Sequence, residues 1–179
     1  MFQRFRYIPP VCLFFSLFLI LTGKLKYSSI NLNKSVQTED GSEFIVFRQI
    51  SRYPKLASKH SCVFVVRFKF KHLSQKANRI ISKIPTLLIA GHPGFVSKCY
   101  AVNKNNGYWQ GMYQWESLRD LKDYKKSFVY KMMNKRAIPE SIQSNILLNN
   151  SLDNYVQKNL LRTKNSIKWK QKQQIAELL

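Results

Sequence analysis

Residues 94–119 read GFVSKCYAVNKNNGYWQGMYQWESLR, and in this stretch the local rules for strand, turn and helix start follow one another almost without a gap. Phe95 to Val102 is rich in β-branched and aromatic residues. Asn106-Gly107 accepts positive φ at both turn positions, so a two-residue hairpin returns through Tyr108 to Trp115. Ser117 stands three residues before Asp120, a capping-box-like pair, and Leu118, Leu121, Tyr124, Phe128 and Met132 follow at helical spacing. If residue 105 pairs with 108 across the turn, Tyr100 faces Tyr113 and Lys98 faces Trp115 on one side of the sheet. A three-residue loop would place Tyr100 opposite Met112 instead and change every facing pair.

The segments on either side complete a pattern. Ser61 to Lys71 alternates, with Cys62, Phe64, Val66, Phe68 and Phe70 on one face and Val63, Val65, Arg67, Lys69 and Lys71 on the other, which is a strand. Ser74 caps a helix whose apolar positions are Ala77, Ile80, Ile81, Ile84, Leu87 and Leu88; Pro85 kinks or restarts it, and residues 91–95, GHPGF, end it. Past the second helix, Ile138-Pro139-Glu140 leads into a short fourth strand, Ile142 to Leu148. The order over residues 61–150 is β, α, β, β, α, β, an α+β, ferredoxin-like unit with an antiparallel sheet. One face of such a sheet lies under its helices. The other carries apolar and aromatic residues too numerous for a solvated surface, so the expectation is a homodimer that pairs these faces.

The N-terminus reads MFQRFRYIPPVCLFFSLFLILTGKLK, with no charge from Val11 to Thr22. Val11, Leu13, Phe14, Phe15, Leu17, Phe18, Leu19, Ile20 and Leu21 make residues 1–24 a membrane-directed helix, either an anchor or an uncleaved signal. As a helix, residues 7–22 reach about 24 Å against about 30 Å of hydrocarbon, and Arg4, Arg6, Lys24 and Lys26 are placed to snorkel and make up the deficit. The balance of those four cations leaves the orientation open. Residues 25–43 are polar and aperiodic, a linker. Residues 44–60 hold an extra strand, EFIVFRQI from Glu43 to Ile50, and a connection; residues 151–179 form a basic tail with broken helical periodicity.

A chain of 179 residues, 45% hydrophobic, suits one compact domain plus extensions. Its net charge of +21 is spread along the whole length, whereas a nucleic-acid footprint is a patch or stripe. RNA-recognition modules share the βαββαβ order, but their third strand reads K/R-G-F/Y-G/A-F-V-x-F/Y. Asn106 to Tyr113 keeps Gly107, Tyr108 and Tyr113, lacks the leading cation and the small fourth residue, and has Gln110 where the fifth-position aromatic belongs. The stacking platform is incomplete, which argues against nucleic acid. Cys12, Cys62 and Cys99 have neither disulfide-framework nor zinc spacing, and unpaired thiols favour a reducing compartment, hence the cytoplasmic side. His60, His72 and His92 are not spaced for a metal, and no GxSxG, Walker or dinucleotide motif is present.

Three stretches, IAGHPGFVSK (89–98), YWQGMYQWES (108–117) and AIPESI (137–142), resemble the dimeric α/β-barrel superfamily and, within it, the small cofactor-independent monooxygenases. The likeness covers residues 62–149. It implies that Pro93-Gly94-Phe95 turns the first helix into the second strand. It also implies that Lys98 and Trp115 sit at commonly basic and aromatic strand positions, and that Tyr113 to Ser117 ends the third strand. It further implies a small apolar or aromatic ligand, oxygenated with no metal or flavin, so no cofactor is expected. Such chemistry needs an apolar cavity in which an activated ring is deprotonated and the carbanion kept from water. Lys98, Tyr100, Trp109, Tyr113 and Trp115 are the candidate wall, with His92 in the adjoining turn; the same aromatics equally suit core and dimer packing. Glu116 is a candidate base or an exposed strand end. Because the superfamily also holds isomerases and haem-handling enzymes, a non-catalytic dimer or ligand-binding protein of the same fold is the alternative.

Overall fold

The computed structural model describes residues 8–38, 40–54 and 59–160. The first part of the chain forms α1 (Pro9–Leu21), β1 (Leu25–Tyr27), β2 (Ser35–Gln37), β3 (Glu43–Arg52) and β4 (Cys62–Phe68). Then come α2 (Gln75–Ile81), α3 (Lys83–Ala90), β5 (Phe95–Val102), β6 (Trp109–Trp115), α4 (Leu118–Lys126), α5 (Phe128–Arg136), β7 (Gln143–Leu148) and α6 (Leu152–Lys158). The strands make one sheet in the order β1-β3-β5-β6-β4-β7, with β2 also beside β3, and every pairing is antiparallel. The run β7-β4-β6-β5 is the ferredoxin-like order expected from the sequence. β3 extends it past β5, and the stretch read as a linker supplies β1 and β2 to the far edge.

The hairpin is longer than a two-residue turn. Asn103 N–H donates to Tyr108 O at 2.9 Å and Gly107 N–H to Asn103 O at 3.0 Å. The Asn103 carboxamide oxygen accepts the N–H groups of Asn105 and Asn106, starting the turn two residues early. Gly107, at φ 74°, takes the left-handed position that closes it. Lys98 therefore faces Tyr113, Tyr100 faces Gly111 and Val102 faces Trp109, and neither sequence register holds. A shift of two residues preserves the side-chain alternation, so Lys98, Tyr100, Tyr113 and Trp115 keep a common face.

Both helical stretches break in the middle. α2 gives way to α3 at Ser82, with Pro85 in the first turn of α3, where its missing N–H costs nothing. The second is divided at Ser127, whose extended backbone ends α4 while its side chain accepts Tyr130 N–H to start α5. These helices cover one sheet face. Phe64, Val66, Phe68, Tyr113 and Trp115 meet Ile89, Leu121, Tyr124 and Val129 there.

The opposite face, expected to be bare and to call for a second subunit, is covered by the chain itself. Val63, Val65, Cys99, Ala101 and Met112 pack with Val36 of β2, Phe44 and Val46 of β3, and Leu152, Tyr155 and Val156 of α6. Short helix α6 is the part of the basic tail that is described. β5 and β6 are buried along their whole length, as strands between two covered faces must be.

α1 is shorter than the expected membrane helix, and among the described residues no helix is long and apolar enough to cross a membrane. At 13 residues it spans about 20 Å, short of about 30 Å of hydrocarbon. Its buried residues, Cys12, Ser16 and Leu19, fall one turn apart on a single side, and that side rests against α3. The flanking Arg4 and Arg6 lie outside the described residues. Contact is closest at Gly91, where an added Cβ would stand 1.8 Å from the Cys12 carbonyl oxygen. Gly91→Ala should therefore push α1 off α3 and lower stability by about 1–3 kcal/mol in chemical denaturation, the usual cost of forcing atoms into packed space.

Candidate functional site

Between the sheet and the helix layer lies an apolar cavity of about 50 Å³, bounded by Lys98, Tyr100, Trp109, Gly111 and Tyr113 on the sheet side. Ser82, Pro85 and Ile89 close it from the α2–α3 side, and Val129, Met132, Met133 and Arg136 from α5. It holds roughly a few waters' worth of space. Small-molecule sites usually begin near about 300 Å³.

Lys98 is the chemical feature of this cavity. It is 2% exposed, with Nζ 3.7 Å from the centre of the Tyr100 ring and 4.1 Å from that of Tyr113. Burial drives its pKa well below the ordinary 10.5, and the charge of Arg48 pushes the same way. Cation–π contact with the two rings favours the ammonium and opposes this.

Local structure explains why Arg48 faces the same space. β3 is irregular between Val46 and Arg48 in its pairing with β5, so Phe47 is the extra residue of a bulge and both it and Arg48 turn toward the helices. Arg48 donates to Ser82 Oγ and to Arg79 O, each at 2.8 Å, and its guanidinium lies 5.4 Å from the Tyr100 ring centre. Phe47 meets Trp109 edge-on at 5.0 Å, and the Trp109 indole N–H donates to Gln75 Oε1. Thr86 Oγ1 is in hydrogen-bond contact with the Tyr100 hydroxyl at 2.8 Å, and burial raises the pKa of Tyr100 and Tyr113, so both remain phenols able to donate. Gly111 leaves room for the Tyr113 ring, which an added Cβ would meet at 2.7 Å.

Four of the six residues proposed from sequence, Lys98, Tyr100, Trp109 and Tyr113, thus surround one cavity. Trp115 and His92 sit at the other end of the helix layer, where Trp115 stacks on Tyr124 at 4.8 Å and His92 meets Tyr124 edge-on at 5.7 Å. Glu116 closes the end of β6, its N–H donating to Gly94 O at 2.8 Å, and does not line the cavity. Phe47, Arg48, Ser82 and Arg136 were not singled out as site residues. A bulge places the first two, and the ends of separate helices place the others, so no local signal in the sequence marks them.

A larger cleft of about 320 Å³ opens on the other face between β4, β7 and α6, lined by Arg67, Gln143, Asn145, Asn150 and Lys158 among others. Arg67 there is already held by Asp40 at 2.7 Å, and hydrogen bonds from Thr38 and Arg67 keep the Asp40 carboxyl below the usual range. The smaller cavity is the better candidate because its wall holds a buried amine facing two aromatic rings. Among the described residues no cluster of three His, Cys, Asp or Glu side chains could hold a metal ion.

No protein-family model and no curated protein matches the chain. Solved structures do. A monooxygenase-like protein from Listeria innocua is 12% identical at a TM-score of 0.48, over 73% of this chain and 84% of that one. A heme-degrading enzyme from Listeria monocytogenes is 16% identical at 0.46, over 73% and 90%. A candidate monooxygenase from Fusobacterium nucleatum is 10% identical at 0.46, over 60% of this chain, which spans about half of that protein, 49%.

Two outcomes follow from the buried bases. Below pH 10.5 the unfolded chain binds a proton at residue 98 that the folded chain refuses, so this lysine costs stability at neutral pH and the cost shrinks as pH rises toward 10.5. Lys98→Met should raise stability at pH 7 by about 1–3 kcal/mol, with the gain fading at high pH in denaturant titrations. Burial, and then the charge of Arg52, lower His92 from 6.5 to about 4. Stability should fall by about 3 kcal/mol as pH drops through that window, and His92→Gln should flatten this part of the stability–pH curve.

Proposed function

We propose that this protein is a small-molecule enzyme of the monooxygenase type, with the cavity over Lys98 as its site and the Lys98 amine as its base. The observation that carries the reading is a buried lysine held between two tyrosine rings in an apolar chamber. A substrate with a C–H group activated by a neighbouring carbonyl or phenol ring would give its proton to Lys98. The ammonium so formed gains the attraction of both ring faces beside the new carbanion, which the apolar wall keeps from water. Reaction of the carbanion with dioxygen gives a hydroperoxide that loses water, so that a CH2 group and O2 become a carbonyl group and H2O. The Tyr100 hydroxyl accepts from Thr86 and keeps its own O–H to donate to the substrate oxygen.

The resting volume admits dioxygen or a fragment of a few atoms. A ring system enters by moving the side chains of Met132 and Met133, which are unbranched and adaptable. That small volume favours one rival reading, a non-catalytic protein of the same fold whose tyrosines are packing alone.

Oxygen uptake with a panel of quinols and anthrones separates the two. The expected result is turnover that rises with pH as the amine loses its proton and that falls at least about 100-fold in Lys98→Met, with Met132→Ala accepting larger substrates. Background uptake across the panel, with no ligand detected by calorimetry, would leave the non-catalytic reading in place.

A further inference from the structure

α1 is apolar on every side, yet only the side carrying Cys12, Ser16 and Leu19 is covered. Phe14 is 73% exposed and Leu21 86%, with Leu17 and Phe18 about half open, and on the adjoining helices Ile80 and Ile84 are also exposed, Ile84 at 63%. α1 touches α3, and α3 touches α2, so these side chains sit on one layer of adjoining helices, and large apolar side chains gathered in the open mark an interaction face. The same surface is one-signed. Residues 8–27 and 74–91 contain Lys24, Lys26, Lys76, Arg79 and Lys83 and no Asp or Glu, and Lys24, Lys26, Lys76 and Lys83 are exposed.

We infer that this surface is a docking face for an anionic lipid bilayer, with α1 lying in the plane of the headgroups. Its exposed apolar residues would enter the acyl boundary, and the rim lysines would meet lipid phosphates and carboxylates. Length and packing both favour lying over spanning. The helix is too short to cross, and its Cys12–Ser16–Leu19 side is fastened to α3, so lipid cannot surround it. Charge argues against a second copy of the chain, because two such faces brought together would press the lysines of residues 8–27 and 74–91 against each other, and those segments hold no Asp or Glu to pair them. An anionic headgroup layer supplies the missing sign, and lysines near it add to binding in a salt-dependent way.

The test is flotation of the full chain with vesicles of phosphatidylcholine and phosphatidylserine at about 3:1, against phosphatidylcholine alone. The expected result is binding to the mixed vesicles that weakens with added salt and is released by carbonate. It should drop at least about tenfold in the exposed-residue variant F14S/L17S/L21S, and toward the phosphatidylcholine level in K24E/K83E. Leu21→Ser alone, at the most open position, should give part of the loss with an unchanged circular dichroism spectrum. Three results would overturn the inference: no flotation of the full chain, flotation indifferent to all these variants, or resistance to carbonate, which would mean a span. So would a wild-type dimer in sedimentation equilibrium that F14S/L17S/L21S converts to monomer while vesicle binding is unmoved, since the face would then belong to a second copy.

Discussion

Tyr124 of α4 is fully buried, with Trp115 of β6 stacked on it at 4.8 Å and His92, Tyr113 and Tyr130 around it at 5.7, 5.6 and 5.5 Å. Rings of this size each bury about 150–250 Å² and prefer a few defined contact geometries, so the cluster sets both the height and the tilt of the helix layer above the sheet. The rest of the molecule is arranged around that spacing. At the Trp115 end the layers close on each other completely. Further along β5 and β6, Gly111 contributes no side chain and Tyr113 lies over it, and the same separation leaves the small chamber above Lys98.

The chamber is chemically unusual because its charges are balanced in an unsymmetrical way. Lys98 has aromatic faces where a carboxylate would be expected, and Arg48, the nearest contributing charge, has the same sign. Arg48 spends its own hydrogen bonds on Ser82 and Arg79 and so ties the edge of the sheet to the junction of α2 and α3. Burial in such a place favours the unprotonated amine and lowers its pKa from the ordinary lysine value. Stability and reactivity at this position pull in opposite directions, as at many functional sites.

The two faces of the sheet solve different problems. The helix face carries the polar and aromatic residues that could do chemistry, while the other face is closed by short elements from both ends of the chain, β2 and α6. Gln114 marks that closure, its side-chain oxygen accepting the N–H of Leu152 at the start of α6 at 3.0 Å. Both faces of β5 and β6 are thus covered within the described chain. The uncovered apolar surface lies instead on α1 and its neighbours.

The alternation of residues 61–71, the Ser74 and Ser117 caps and the breaks at proline and glycine determined by themselves that residues 61–150 fold as β, α, β, β, α, β, and that Lys98, Tyr100 and Tyr113 share one face. These are short-range matters, decided by residue period and by which side chains can cap or turn a backbone. The hairpin register was beyond such rules, because Asn103 competes with Asn106-Gly107 to begin the turn and only the finished sheet selects between them. The bulge that swings Arg48 inward, the covering of the reverse face by β2 and α6, and the docking of α1 on Gly91 all join residues far apart in sequence. Their free energy comes from surfaces that exist only after the chain has folded, and so tertiary structure alone decided that Lys98 would be a buried amine between two aromatic rings while Trp115 and His92 became packing.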